Sequence, residues 1–478
     1  MNNEQLFTIH YSLFIAFMNW PDLKVVVVGL AREGLAAAQF LARRGAQVTV
    51  TDTKPAERLR EEVSLLQGLG ISFELGGHPD SLLTPTRSDF LVVSPGAPLS
   101  NPFLQQAQRR ELPLTTESRL FCQLCPSPII GISGSSGKTT TTTLAGKMLD
   151  AAGYTARVGG NIGQPLINRL GKIHATDWTA LELSSFQLEY FHADLNQNAN
   201  IPPQLQALFA DWGPKIAALL NITPNHLDRH KTMAAYTQAK RALVDYLGLE
   251  QIAVLGWDNP VTQEIGQQLK APVSWFSLRQ RVENGACLLD GQISLLRQGV
   301  ASAICPADAV KLRGEHNLYN VLAACAIAGA AGVDVEAMAA VVTSFSGVPH
   351  RLELVTRREG VAWYNDSIAT SPERLMAALN SFDEPIILLA GGKDKDLPWE
   401  DAAQLIAQRV KHLILFGQAR ELILEAVEGM TADHRPLTID VYRTLEEAVA
   451  RAKTIARPGD VALLSPGGTS YDAYHDFA

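Results

Sequence analysis

Cysteine is scarce in this chain: five in 478 residues, with Cys122 and Cys125 forming a lone CxxC and Cys287, Cys305 and Cys325 scattered. So few form no disulfide framework, and a single CxxC lacks the second pair of a structural zinc site. Cys287, Cys305 and Cys325 read as small core residues, no metal or redox role is expected for any of the five, and a reducing, cytoplasmic setting fits. An excess of basic charge is missing as well. With a formal net charge of −8, the chain has no general attraction for nucleic acid or an anionic membrane, and neither is expected as a partner. No apolar run reaches the roughly 18 residues of a membrane span. The first twenty residues, apolar from Tyr11 to Phe17, hold no Lys or Arg and so lack the basic start of a secretory signal. Met18 is an alternative start, with a strand expected a few residues later. Repeats and low-complexity tracts are also absent.

What remains is an ordinary globular composition, 46% hydrophobic and 19% charged. The length predicts three domains. The most informative stretch is Gly131-Ile132-Ser133-Gly134-Ser135-Ser136-Gly137-Lys138-Thr139-Thr140, set between the apolar run Pro128-Ile129-Ile130 and an alanine-containing helix to Ala152. A strand, a loop with glycines at 131, 134 and 137, then Lys, Thr and a helix is a phosphate loop in its expected setting. Backbone N–H groups and the helix N-terminus face phosphate, Lys138 follows the terminal phosphates, and Thr139 serves Mg²⁺. Ile132 stands where the usual spacing has its first glycine, so the loop is a variant.

Upstream, Lys24 to Gly29 is a β-branched strand of the doubly buried kind. The turn Gly29-Leu30-Ala31-Arg32-Glu33-Gly34 leads into a helix, and a second strand ends at Asp52. That carboxylate stands where dinucleotide folds place a ribose-binding acid. Ala31 replaces the middle glycine of the fingerprint, which leaves NAD(P) and another nucleotide's diphosphate as alternatives. A further strand, Phe90 to Val93, ends in Ser94-Pro95-Gly96.

Downstream of the phosphate loop, Val158-Gly159-Gly160-Asn161-Ile162-Gly163 reads as a glycine turn, and the strand Trp178 to Leu183 carries Glu182 inside an apolar run. A carboxylate buried there calls for a cation, hence a metal role. Asp194 to Trp212 reads as an irregular insertion. The strand Ile216 to Ile222 leads into Thr223-Pro224-Asn225-His226-Leu227-Asp228-Arg229-His230 at the end where ligands of parallel sheets bind. His226 is the preferred functional histidine, while His230, beside Lys231, reads as solvated. On composition alone Lys240 is a surface lysine. A hairpin is expected about Asp290-Gly291. Asn317 and Asn320 share a helix face, as a capping group or as ligand contacts. From Gly347 onward strands and helices alternate again, with polar loops at Asn365-Asp366-Ser367, Gly391 to Asp396 and Ser465 to Ser470. The expected class is therefore α/β in three domains: a Rossmann-like N-terminal domain over 1–118, a central P-loop ATPase-like parallel-sheet domain over 119–347, and a C-terminal Rossmann-like α/β domain over 348–478.

Taken together, and in this order, the chain resembles the Mur ligase family over nearly its whole length. The motifs that carry the resemblance are the loop ending Gly137-Lys138-Thr139, Gly159 to Gly163, Leu181-Glu182-Leu183-Ser184-Ser185-Phe186-Gln187, Asn221 to His230, Gly314-Glu315-His316-Asn317, His350-Arg351 and Asn365-Asp366-Ser367. The resemblance, which is to the branch that adds D-glutamate, implies a monomeric, cytoplasmic ligase forming an amide between UDP-N-acetylmuramoyl-L-alanine and D-glutamate at the expense of ATP, with two Mg²⁺ ions. It implies that Gly134, Ser135, Ser136, Gly137, Lys138, Thr139 and Thr140 hold the ATP phosphates, and that Thr139, Glu182, His226 and a carbamylated Lys240 serve the metals. Asn317, Asn320, Arg351 and Asp366 would hold the adenosine part. Ala31, Asp52, Thr53 and Asn161 would contact the UDP-sugar, with Thr370, Lys395, Ser470, Tyr471 and Phe477 on the amino-acid side. Lys138, His226, Lys240, Arg351 and Lys395 would take part in catalysis. Three positions depart from the family: Ser136 replaces an Asn, Ile368 replaces a frequent Lys, and the sequence stops at Ala478 where relatives usually continue. The rival expectations are a folylpolyglutamate-type or sister ligase, a non-catalytic nucleotide-sugar binder, and an NAD-dependent dehydrogenase.

Overall fold

The computed structural model describes residues 19–394, 397–430 and 437–469. Lys395, Ser470, Tyr471 and Phe477, and the apolar stretch Tyr11 to Phe17, lie outside the described residues.

Three sheets organise the chain. The first contains β1 (Lys24–Val28), β2 (Gln47–Asp52), β3 (Ser72–Leu75), β4 (Phe90–Val93) and β5 (Leu114–Thr115), all parallel in the order β3-β2-β1-β4-β5. Val25 to Val28 are buried because strands and helices cover both faces, which is why their run reads as continuous rather than alternating. Helix α1 (Arg32–Arg43) begins inside the stretch read as the turn and takes Gly34 into its first turn. Any Cβ on Gly34 would collide with the carbonyl oxygen of Gly29, so glycine is what lets α1 lie close against the end of β1. β3 and β5 were not expected: one is short and half-buried at the sheet edge, the other has two residues.

After α2 (Glu117–Leu124) comes the second sheet: β6 (Ile129–Ser133), β7 (Ala156–Gly160), β8 (Trp178–Glu182), β9 (Ile216–Leu219), β10 (Ile252–Gly256), β11 (Val273–Ser277), β12 (Gly285–Leu289), β13 (Gln292–Arg297) and β14 (Val300–Pro306). Its order is β14-β13-β12-β11-β10-β9-β6-β8-β7, parallel except at the antiparallel pairs β12–β13 and β13–β14. The hairpin turn is Asp290-Gly291, both residues at positive φ, as its type requires. The stretch Val158 to Gly160, expected as a turn, is the end of edge strand β7, with the bend following it. Strand order reverses about β6, which has β8 on one side and β9 on the other, and helix α3 (Lys138–Ala151) leaves from that point. Helices α4 (Ser185–Leu188), α5 (Met233–Arg241) and α6 (Glu315–Ala330) complete the elements used below. Asp194 to Trp212 forms short turns, from which Leu205, Leu208 and Phe209 enter the core.

The third sheet has β15 (Glu353–Arg358), β16 (Val361–Asn365), β17 (Ile386–Gly391), β18 (Val410–Phe416), β19 (Thr438–Val441) and β20 (Val461–Gly467), in the order β15-β16-β20-β17-β18-β19. Only β15 runs antiparallel.

One apolar cluster joins the first two sheets, running from Val25 and Leu41 through Phe121 and Ile167 to Leu219 and Leu255. These sheets, with Tyr319–Val342, make one compact unit, and the third sheet with Asp308–Leu318 makes another that has its own core around Leu375, Leu388 and Leu463. All five cysteines are buried, and none is in a disulfide. Among the described residues no helix is long and apolar enough to cross a membrane.

Candidate active site

The phosphate loop turns from β6 into α3 at the point where the strand order reverses, the place where open parallel sheets bind ligands. Gly131, expected among the loop glycines, instead lies within β6, where an added Cβ would stand 2.7 Å from Leu243 Cδ1. Close packing, not phosphate, excludes a side chain there. Gly137 is the left-handed N-cap of α3 (φ 82°), and a Cβ on it would collide with Oδ1 of Asn320. Asn320 therefore closes over the loop. Elsewhere the loop is tied to the β9 end of the sheet: Ser135 N donates to Asn221 O (2.9 Å), Ser135 Oγ bonds Thr223 O (2.9 Å) and Tyr236 Oη (3.0 Å), and Ser136 N donates to Asn221 Oδ1 (3.0 Å). Lys138 Nζ donates to the carbonyls of Gly134 (2.9 Å) and Ser135 (3.3 Å). Thr140 is buried in α3.

Beside the loop, Glu182 is 2% exposed at the end of β8. One carboxylate oxygen accepts from Thr139 Oγ1 (2.8 Å), the other from Asn161 Nδ2 (3.0 Å), and its backbone carbonyl accepts from Asn161 N (2.8 Å). Lys240 completes the group. Composition placed it at the surface, but it is 1% exposed on α5, because α5 packs Tyr236, Ala239 and Lys240 inward on one face. Its Nζ donates to Gly134 O (2.9 Å) and Ser133 Oγ (3.3 Å) and lies over the Tyr236 ring. Burial first, and then the charge of Lys138, hold its proton affinity well below that of an ordinary lysine, while Glu182 acts the other way.

Of the two histidines, His230 differs from expectation. His226 is exposed, at positive φ, with its ring against Phe186. His230, read from the sequence as solvated, is buried: Nε2 bonds Ser185 Oγ (3.0 Å) and Nδ1 lies 3.1 Å from Glu189 Oε1. Glu189 also pairs with Arg229 (2.6 Å), whose guanidinium reaches the carbonyls of Gly96 (3.0 Å) and Ala97 (3.2 Å) in the loop after β4. Arg229, His230 and Glu189 were missed because each looks like a surface polar residue until the first sheet is set against the second.

At the ligand end of the first sheet, Asp52 is nearly buried, and its carboxylate oxygens accept from Leu30 N and Lys54 N (both 2.8 Å). Asp52 thus pins the turn after β1 to the turn after β2. Ala31, Thr53 and Asn161 are exposed.

In the other unit, buried Asp366 accepts from Leu352 N (3.1 Å) and Ser465 Oγ (2.9 Å). Burial raises its pKa from 3.8 to about 6, against the Ser465 and Leu352 hydrogen bonds and the charges of Arg351 and Arg374. His316 is lowered by burial and then by Arg351. Asn317 donates to Arg313 O (2.7 Å), and Thr370 is half-buried. The Asp366 shift fixes a sign. The native carboxyl keeps its proton up to a higher pH than the unfolded one, so stability falls as pH rises from about 4 to about 6, and the full penalty of roughly 3 kcal/mol is present above that. Asp366→Asn is therefore expected to gain on wild type in urea unfolding between pH 4 and pH 7. A difference that does not change with pH would contradict this.

Among the described residues no three His, Cys, Asp or Glu side chains gather at one point. The oxygen donors present, Thr139 Oγ1 and Glu182, suit a hard cation that takes its remaining ligands from phosphate and water.

Parallel sheets flanked by helices, with a phosphate loop at a strand-order reversal and Thr139 beside buried Glu182 and Lys240, define an α/β protein of the phosphate-loop nucleotide-binding class. Three family descriptions match along it: "Mur ligase MurD-like, N-terminal domain" over residues 23–116, "Mur ligase middle domain" over 132–328 and "Mur ligase, glutamate ligase domain" over 350–468. The chain belongs to the Mur ligase family. It is 37% identical over 454 residues to the UDP-N-acetylmuramoylalanine–D-glutamate ligase of Pelotomaculum thermopropionicum, covering 95% of this chain and 94% of that one. It is 39% identical over 458 residues to the protein of the same name from Symbiobacterium thermophilum, covering 95% of each. A crystal structure of MurF from Acinetobacter baumannii superposes with a TM-score of 0.57 at 17% identity, over 94% of this chain and 92% of that one, a likeness of fold.

Proposed function

We propose that this protein is a cytoplasmic, ATP-dependent ligase that joins D-glutamate to UDP-N-acetylmuramoyl-L-alanine in the making of peptidoglycan precursors. The observation that carries this is the 37–39% identity, over about 95% of the chain, to ligases named for that reaction.

A carboxylate has no leaving group, so amide formation requires one to be installed. Transfer of the γ-phosphoryl group of ATP to the carboxylate oxygen of the alanyl group forms an acyl phosphate and ADP. The D-glutamate amine then attacks the carbonyl carbon, loses a proton, and phosphate departs from the tetrahedral intermediate. Negative charge develops on oxygens in both steps, and preorganised donors are the largest source of acceleration for such steps. On this reading the loop amides from Gly134 to Thr140 and the Lys138 ammonium take the ATP phosphates. Thr139, Glu182, His226 and Lys240, the last as its carbamate, would hold two Mg²⁺ ions, which when bound neutralise phosphate charge. Asn161 fixes the Glu182 carboxylate, and Asn317, Asn320, Arg351 and Asp366 serve the nucleotide. Ala31, Asp52, Thr53 and Asn161 serve the UDP-sugar, and Thr370 and Lys395 with Ser470, Tyr471 and Phe477 the amino acid. The first sheet is thus the UDP-sugar domain, the second the ATP domain and the third the amino-acid domain of a monomeric enzyme.

Phosphate release from ATP tests the activity. It is expected only when UDP-N-acetylmuramoyl-L-alanine and D-glutamate are both present. Release with L-lysine, D-alanyl-D-alanine or a folate and L-glutamate in their place would point to a sister ligase, and none with any acceptor to a non-catalytic binder.

Asp52→Ala is expected to raise the Kd for the UDP-sugar about tenfold or more, since two hydrogen bonds to a charged acceptor, each worth about 1.5–3 kcal/mol, no longer hold the turns after β1 and β2. ATP affinity should stay within twofold. Calorimetry of the two ligands checks both numbers, and an unchanged UDP-sugar Kd would contradict the assignment.

A further inference from the structure

Where α1 packs on the second sheet's domain, two carboxyl groups meet with no buried cation between them among the described residues. Glu33, in the first turn of α1, is half-buried. Glu117, at the start of α2, is 5% exposed, and its Oε1 has no hydrogen-bond partner among the described residues. Ser118 Oγ bridges them, 3.4 Å from Glu33 Oε2 and 3.5 Å from Glu117 Oε2, while Gln187 Nε2 donates to Glu33 Oε1 (2.9 Å) and to Ser118 Oγ (2.8 Å).

Two ionised carboxylates in such a place repel each other, and the buried one would also carry a bare charged oxygen, which is costly. The surrounding charges relieve this only in part, since Arg32 favours the ionised forms of both carboxyls against the larger effect of burial. Arg32 is exposed and donates to Gly163 O, and Arg119 on α2 points its guanidinium at the carbonyls of Tyr190, Phe209 and Ala210. On the neighbouring 3₁₀ turn Ile167–Lys172, Arg169 and Lys172 are exposed, and the Ile167 amide, with Arg32 and Ser118, favours the ionised form of Glu117 against the larger effects of burial and of Glu33. The Cys122 thiol is neutral, its pKa pushed up by burial. Glu189, beyond α4, is already paired with Arg229 and His230. One arrangement satisfies the donors: Glu117, protonated, gives its hydrogen to Ser118, and Ser118 gives its own to ionised Glu33.

We propose that Glu33 and Glu117 form a proton-sharing pair, with Glu117 carrying the proton, that positions the first turn of α1 and couples binding of the anionic UDP-sugar at that turn to proton uptake. The coupling rests on the substrate proposed above; the pair itself does not. A helix N-terminus attracts anions, and an anion arriving beside Glu33 raises the affinity of the pair for its proton. By reciprocity, loss of the proton weakens the anion's binding.

Burial, and then the charge of Glu33, raise the Glu117 pKa from 4.5 to about 8. The native state therefore keeps a proton that the unfolded chain loses, and stability declines as pH rises from about 5 to about 8. For one proton this makes the unfolding constant of the full-length protein rise up to tenfold per pH unit relative to Glu117→Gln, in which other titrating groups are unchanged. Equal pH dependence in the two proteins overturns the pair. Should Glu117→Gln not fold, Glu33→Gln replaces it: without the neighbouring charge, Glu117 releases its proton at lower pH, so the decline ends earlier, and an unchanged profile is again the negative result. Calorimetry with UDP-N-acetylmuramoyl-L-alanine at pH 8, in buffers of different ionisation enthalpy, then reads the coupling. A fraction of a proton is expected to be taken up by wild type and none by Glu117→Gln. Binding without proton uptake overturns the coupling alone, whereas no binding overturns both the coupling and the substrate assignment and leaves the unfolding result to stand by itself.

Discussion

Lys240→Ala is expected to lose ligase activity by about 10²–10³-fold, the loss that accompanies removal of one preorganised charge-stabilising group, and to recover part of it when acetate or formate is added. The side chain is buried against Ser133 and the Gly134 carbonyl, next to Lys138. A second ammonium there would repel a cation brought in with ATP. The neutral amine, favoured by burial and by Lys138, can instead add to CO₂, forming an N–C bond and releasing a proton, which turns a positive group into an anionic oxygen donor of the kind Mg²⁺ prefers. A short carboxylate fills the same space in the alanine variant. Wild type stripped of CO₂ should likewise lose activity and regain it with bicarbonate. Wild-type turnover by Lys240→Ala at low Mg²⁺ would show that the lysine only packs.

Lys138→Ala should reduce turnover by about 10³-fold or more, because its ammonium, held in the loop by the Gly134 and Ser135 carbonyls, is proposed to follow the transferred phosphoryl group. The UDP-sugar Kd should stay within twofold. Lys138 leaves from β6 in the second sheet, while Asp52 and the turn after β1 belong to the first. Calorimetry on the folded variant measures both ligands. Loss of both with an unchanged circular dichroism spectrum would contradict separate sites.

Much of this molecule is legible in its residues because the relevant physics is local. The phosphate loop needs a strand, a left-handed glycine at 137 and a helix start, all within ten residues. Buried parallel strands such as Val25–Val28 announce themselves as apolar runs, and Asp290-Gly291 sets its hairpin through backbone conformation alone. The edge strands β3, β5 and β15 do not: β3 is half-buried and β15 largely exposed, so both lack a continuous apolar run, and β5 has only two residues.

Charge and burial are a different matter. Composition by itself determined that the chain forms no disulfide framework and has no excess of basic charge, and its motifs determined an α/β architecture with a nucleotide-phosphate loop. Only the tertiary structure decided which polar groups lose their water. Lys240 and His230 are buried by the packing of α5 and of the segment after β9, and Gly131 serves Leu243 instead of a phosphate. Glu33, Glu117 and Gln187, distant in the chain, meet only because one apolar core draws the first two sheets together. Desolvation and through-space charge act between groups that no spacing rule connects, and for that reason their proton affinities belong to the fold rather than to any stretch of sequence.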